Sequence, residues 1–200
     1  MKKRCDWAKN EPNTTYHDTE WGVPQHNDKK LFEFLILECA QAGLSWSTIL
    51  NRRDGYRIAF SDFDVVVVSK YTQNHVKKLV HNKDIIRNKL KINSAINNAR
   101  QFIKIQKEFG SFDEYLWSFV NHKSIKNKFK KHSDLPPYTK ISEKLSQDLK
   151  KRGFNFVGPT ICYALMQAVG MVNDHTIDCF RYSKLSLLIW IKNQLHLQRS

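Results

Sequence analysis

The chain reads as an all-α protein. Three observations support this. Apolar residues recur at helical spacing along most of its length, capping and stop residues punctuate them, and the one strand-prone stretch has no partner to pair with. The elements follow in order. Residues 28–43 make the first long helix, with Asp28 as its N-cap and Gly43 as its stop. Leu31, Phe34, Leu35, Glu38 and Ala42 fall on one stripe of it. A second helix is expected over about residues 46–60. Residues 61–70 hold four consecutive valines, which favour β-structure locally. Lacking a partner strand, they read as a short helix capped by Asp64. Thr72 caps a helix carrying Val76, Leu79 and Val80. Residues 89–109 make a longer amphipathic helix that Gly110 ends. Ser111 and Glu114 form a capping box that opens the helix from Tyr115. Residues 121–140 are polar and basic and end in Leu135-Pro136-Pro137, so they read as a loop. Ser142 caps a helix over residues 143–152, ended by Gly153. Pro159 opens the next, over residues 160–169, and Gly170 stops it. The tail, residues 183–200, carries Leu185, Leu188, Ile189 and Ile191, a pattern open to either a terminal helix or disorder.

Two hundred residues with 41% hydrophobic content suit one compact unit, or two small lobes sharing a cleft. Thirty-three Lys and Arg against nineteen Asp and Glu give a formal charge of +14. That excess points to a polyanionic partner, nucleic acid before membrane. A generally basic composition is the bland alternative. No apolar run approaches the ~20 residues of a membrane span, and the N-terminus lacks the apolar core of a signal peptide. The expected location is a bacterial cytoplasm, in association with the nucleoid. There Cys5, Cys39, Cys162 and Cys179 are free thiols or metal ligands rather than disulfides.

Glu38 is the anomaly of the chain, a carboxylate on an apolar stripe. A buried, unpaired carboxylate is costly, so it is edge-exposed, paired or kept for chemistry. Trp7, Tyr16, Trp21 and Trp46 lie in the first quarter of the chain, the first three in polar, turn-rich sequence. Such rings either pack in the core or fold over the helix end. Rings around one carboxylate suit a planar cationic ligand.

Helix, then Gly153-Phe-Asn-Phe-Val-Gly158-Pro-Thr160, then helix is a helix-hairpin-helix pattern. Glycines let the backbone approach a phosphate, and the next helix offers it free N–H groups. Lys150, Lys151 and Arg152 stand just before the turn. The alternative is plain helical packing. His175 and Cys179, four apart, would share one face of a helix and suit zinc. The second pair would then be Cys5 and His17. The alternative is a surface histidine and a buried thiol.

Together these stretches resemble the DNA-3-methyladenine glycosylase I family of the helix-hairpin-helix superfamily. The similarity rests on Cys5-Asp-Trp7, Tyr16-His-Asp-x-Glu-Trp-Gly-Val-Pro24, Glu38-x-x-Gln-Ala-Gly-Leu-Ser-Trp46, Trp117-Ser-Phe-Val-Asn-His122, Leu149-Lys-Lys-Arg-Gly-Phe-x-Phe-Val-Gly158 and Val172-Asn-Asp-His175. It spans about residues 5–182, read as a single glycosylase unit of two lobes, and leaves the tail outside. The resemblance implies hydrolysis of the N-glycosidic bond of 3-methyladenine in alkylated double-stranded DNA. It implies a structural zinc on Cys5, His17, His175 and Cys179, joining the two ends of the chain. It implies a base pocket of Tyr16, Trp21, Glu38 and Trp46, with Glu38 the candidate catalytic residue. Gly43 and Leu44 match the segment that probes the duplex and fills the space of the flipped base, while Gly153, Gly158 and Thr160 grip the backbone. Related glycosylases that cut the backbone carry a Lys where Pro159-Thr160 stand, so a monofunctional enzyme that leaves an abasic site is expected. The usual Asp after the second hairpin helix corresponds to Asn173. Monomer is the default state. A noncatalytic DNA-binding module on the same hairpin is the rival reading. A zinc hydrolase needs an open metal position, which a Cys2His2 set does not leave.

Overall fold

The computed structural model describes residues 2–185. The remainder of the tail, with the expectation for Leu188, Ile189 and Ile191, lies outside the described residues. Helices dominate, as the periodicity predicts. The first, α1 (Asn13–Thr19), was not expected. It is polar and short, only Tyr16 and His17 are buried, and no apolar repeat announces it.

Helix α2 (Asp28–Gln41) is the centre of the molecule. Every residue from Leu31 to Ala40 is buried, so it has no solvent face and the single stripe is too narrow a description. Asn27 is its N-cap, accepting from Lys30 N at 3.1 Å. Asp28 serves another helix instead: its carboxylate accepts from Phe112 N and Asp113 N, both at 2.9 Å, at the start of the helix that opens at Phe112. The helix expected over residues 46–60 is two, α3 (Trp46–Leu50) and α4 (Arg53–Ala59), broken at Asn51 and Arg52. The break aims Arg53 inward. Its guanidinium reaches Glu33 on α2 at 2.8 Å and Glu20 at 2.7 and 2.8 Å.

The valine run is helical. Asp64 caps α5 (Val65–Ser69) by accepting from Val66 N and Val67 N, at 2.9 and 3.0 Å. A good cap and packing on the long helix that starts at Lys89 override local β-propensity. Helix α6 (Gln73–Leu79) follows, and α7 (Lys89–Phe109) runs as expected to Gly110. Ser111 caps α8 (Phe112–Ser118). The stretch expected as a loop contains β1 (Ile125–Lys126), which pairs in parallel with β2 (Val172–Asn173). Thr139, not Ser142, caps α9 (Lys140–Lys151), because the Ser142 hydroxyl turns back to accept from Thr139 N. Helix α10 (Pro159–Ala168) starts at Pro159 as expected. Residues 180–185 are helical again and Leu185 is buried, so no break separates this part of the tail from the body. No described helix is long and apolar enough to cross a membrane.

Candidate active site and metal centre

Cys5, His17, His175 and Cys179 converge, all buried, with their ligand atoms within 4.8 Å of one another. Cys179 Sγ lies 3.4 Å from His17 Nε2 and 3.5 Å from His175 Nδ1. Cys5 Sγ lies 3.6 Å from His175 Nδ1, and the two imidazole nitrogens are 3.2 Å apart. A tetrahedral ion bound at ordinary sulfur and nitrogen distances separates such donors by about 3.3–3.8 Å. Four of the donor pairs, at 3.2–3.6 Å, lie close to that spacing, and the group could hold a metal ion. Its outer bonds agree. His17 turns its other nitrogen to Asp18 at 2.8 Å, and His175 turns its own to Trp21 O at 3.2 Å. Such partners fix which nitrogen faces a metal. Arg4 in turn holds Asp18, at 2.7–3.0 Å. Burial lowers the His175 pKa and keeps its ring neutral, as a ligand must be. The residues from His175 to Cys179 form a turn, not a helix, so their spacing converges by a route other than the expected one. Phe180 N donates to Lys3 O at 3.0 Å beside the cluster, so the two ends of the described chain meet there.

The ring cluster leans on this centre. Trp21 stands edge-on to His175 at 4.5 Å and to Trp7 at 5.0 Å. Tyr16 lies 5.2 Å from Trp46 and 6.3 Å from Trp7. Tyr16 Oη and Trp46 Nε1 are both buried without a partner. Glu38, also buried, makes no hydrogen bond or ion pair among the described residues, and burial alone raises its pKa to about 8. Burial, then the charge of Glu38, holds the Tyr16 hydroxyl protonated, well above its ordinary range. Each unmet polar group costs on the order of 1–3 kcal/mol. Two unmet donors on neighbouring rings, with the Glu38 carboxyl close enough to act on one of them, leave polar groups free to meet a ligand.

Beside the pocket, Gly43 adopts a left-handed φ of 77° with open space where a Cβ would lie, and Leu44 is 40% exposed. The hairpin between α9 and α10 turns at Gly153, φ 86°, and Phe156, φ 57°. Gly158 is the N-cap of α10, no side chain caps that helix, and Thr160 is exposed. The turn docks on α2 next to Glu38, where the Cys39 thiol lies 3.5 Å from Phe156 O. Asn173 is not open to the pocket. Its amide donates to Tyr182 O at 3.2 Å and accepts from His175 N at 3.3 Å, bracing the loop that carries His175 and Cys179.

Residues 7–182 match the family model for methyladenine glycosylase. The chain belongs to the methyladenine glycosylase family. Its class of enzyme is the DNA repair glycosylase, a hydrolase of N-glycosyl bonds. It is 46% identical over 181 residues to DNA-3-methyladenine glycosylase 1 of Escherichia coli K12, covering 90% of this chain and 97% of that protein. It is 42% identical over 180 residues to DNA-3-methyladenine glycosylase of Haemophilus influenzae, with the same coverage of 90% and 97%. Among solved structures it resembles 3-methyladenine DNA glycosylase I of Staphylococcus aureus, solved to show 3-methyladenine recognition, at 35% identity and a TM-score of 0.86, covering 88% and 95% of the two chains.

In this member of the family the structure brings Tyr16, Trp21, Glu38 and Trp46 together, and it gathers the four Cys and His residues. Several supporting residues escaped the sequence reading. Trp7 completes the ring wall and was noticed only as one of a cluster. Arg53, Lys91, Asn97 and Asn98 carry no local signal, because their partners are far away in the chain. Asn97 donates to Gly153 O at 2.7 Å, and Asn98 exchanges bonds with the Asn155 backbone at 3.0 and 2.9 Å. Lys91 donates to Ala40 O and Ala42 O at 2.8 and 2.6 Å.

Proposed function

We propose that this glycosylase excises 3-methyladenine from alkylated double-stranded DNA, acting as a monomer in the cytoplasm and leaving an abasic site. The observation that carries the reading is the unsatisfied pocket: a buried tyrosine hydroxyl and a buried indole N–H without partners, on rings 5.2 Å apart, and a buried carboxyl that makes no bond among the described residues and whose charge reaches that hydroxyl. Methylation at N3 makes adenine cationic and weakens its glycosidic bond. Little leaving-group activation is then needed, and the protein must find, extrude and hold the base. Flipping costs a few kcal/mol and least for a damaged base. Trp46 stacks on the base, Tyr16 and Trp21 close the pocket, and Glu38 accepts from the adenine edge and offsets its charge. A neutral adenine gains less from the same pocket, which spares normal DNA. Leu44, on the flexible Gly43, fills the vacated space. Gly153, Gly158 and Thr160 present α10 to a phosphate without reading sequence. Pro159-Thr160 offer no amine for a Schiff base, so the strand is not cut.

Cys5, His17, His175 and Cys179 would hold a structural zinc. Zinc supplies no chemistry to the reaction in this reading: four protein ligands leave no open position. Its work is to tie the chain ends and to fix the Trp21 wall through His175. Near-stoichiometric zinc in the purified protein, read by elemental analysis, is the expected result. The test of function is incubation with methylated DNA followed by separation of the released bases. Free 3-methyladenine in excess over 7-methylguanine supports the reading. DNA binding with no released base identifies a noncatalytic module instead.

A further inference from the structure

We propose that Lys91 is a positioning residue that holds the duplex-probing segment Gly43–Leu44 by capping the C-terminal end of α2 from α7. The inference deepens the reading above and rests on Gly43 and Leu44 entering DNA. Helix α2 has no basic residue in its own last turn. Its final carbonyls carry partial negative charge and want a donor or a cation. The ammonium of Lys91 supplies both, at 2.8 Å from Ala40 O and 2.6 Å from Ala42 O. The second bond matters most. Ala42 O belongs to the peptide that leads into Gly43, whose φ is 77° with open space around it, and the only other bond across this turn among the described residues runs from Leu44 N to Gln41 O at 2.6 Å. A glycine followed by a part-exposed leucine is otherwise a loose joint.

The same helix holds the other DNA-facing segment. Two turns beyond Lys91, Asn97 and Asn98 clamp the hairpin at Gly153 and Asn155. Six residues of α-helix rise about 9 Å. Helix α7 thus sets the spacing between the wedge and the phosphate grip, and Lys91 is its fastening at the wedge end. Two of its three donors go to carbonyls of the helix end.

The test is a double-mutant cycle of Lys91→Met and Leu44→Ala in the full chain. The readouts are release of 3-methyladenine from methylated duplex, and affinity for the free base 3-methyladenine by tryptophan fluorescence. Each single variant is expected to lose about tenfold in release, the scale of a charged hydrogen bond. The double variant should be no more than about twofold worse than the poorer single one, since both act through the wedge. Free-base affinity of Lys91→Met should stay within about twofold of the parent, and the salt slope of DNA binding should not change. Losses that multiply in the double variant overturn the proposal, as does an equal loss of free-base affinity. A slope reduced by about one makes Lys91 a phosphate contact and overturns it too. Unchanged release by Leu44→Ala defeats the wedge reading itself, a separate failure. If Lys91→Met does not fold, Lys91→Gln in the same cycle decides.

Discussion

Glu33 and Glu38 lie on neighbouring turns of α2 and are equally buried, 2% and 3% exposed, yet the protein treats them in opposite ways. Around Glu33 it builds a full set of partners. Arg53 reaches it at 2.8 Å, Lys30 at 2.7 Å and Arg57 at 3.1 Å. Burial alone would raise the Glu33 pKa, but these bonds win and lower it. Glu38 makes no hydrogen bond or ion pair among the described residues, its charge is felt by the Tyr16 hydroxyl, and burial raises its pKa to about 8. The same helix therefore shows how this fold neutralises a buried acid, and that it declines to do so at one place. An unpaired carboxyl kept at such cost is what the proposed role in holding a base would explain.

The strongest way to break the contrast is to remove the partner on the Glu33 side. Arg53→Met leaves Glu33 and Glu20 without their main cation. Breaking a buried pair from one side costs about 3–5 kcal/mol. Urea unfolding should show that loss. A change below about 1 kcal/mol would mean that Lys30 and Arg57 suffice and that the pairing is surface-like.

The second prediction addresses the other glutamate. Glu38→Gln should fold normally and bind undamaged DNA as before, yet release of 3-methyladenine should drop by at least about 10²-fold. No bond of the fold among the described residues rests on Glu38, so activity should fall without a loss of stability. Retained release by this variant would return Glu38 to the role of an expensive core residue.

The contrast also marks what could be read from the chain alone. Glu38 stood out because periodicity placed it among apolar neighbours. Glu33 did not, since the stripe model left it facing solvent, and only the packing of α2 on every side reveals it as buried. The capping of α5 by Asp64 was legible because the cap and its amides are adjacent in sequence. Asp28 was misassigned for the same reason: it sits where an N-cap should, but its partners are 84 and 85 residues away. Spacing offers His175 and Cys179 as one pair, and the resemblance is what ties Cys5 and His17 to it, because these meet His175 only through the closure of the fold. Arg53, Lys91, Asn97 and Asn98 could not be found at all, since each acts on a distant backbone or carboxylate that no local pattern names.

A smaller, sharper comparison lies in the pH dependence of stability. The folded chain keeps a proton on Glu38 between its usual value of 4.5 and about 8, where the unfolded chain has released it. The contribution of Glu38 is thus fully present below about pH 4.5 and is lost as pH rises toward 8. Glu33 behaves in reverse. Its lowered pKa stabilises the fold above the usual value of 4.5, and that contribution is lost as pH falls below it. Between pH 6 and pH 8, Glu38→Gln should therefore gain on the parent by on the order of 1–2 kcal/mol, while Glu33→Gln should lose by a constant amount. Urea titrations at both pH values separate the two. Parallel behaviour of the two variants would erase the distinction.

The mildest effect is the most informative about chemistry. The N3-methylated base in DNA carries a fixed positive charge, so any titration between pH 6 and pH 8.5 in kcat/KM belongs to the free enzyme. If the ionised carboxylate is the form that meets the cation, kcat/KM should rise with pH and level off above about 8. Between pH 8 and pH 7 it should fall about fivefold, the loss of ionised Glu38. The Glu38→Gln profile should be flat. A parent profile that is itself flat would mean that Glu38 works as a neutral carboxyl, donating or accepting one hydrogen bond. Charge recognition would then have to come from the ring faces of Tyr16, Trp21 and Trp46 alone.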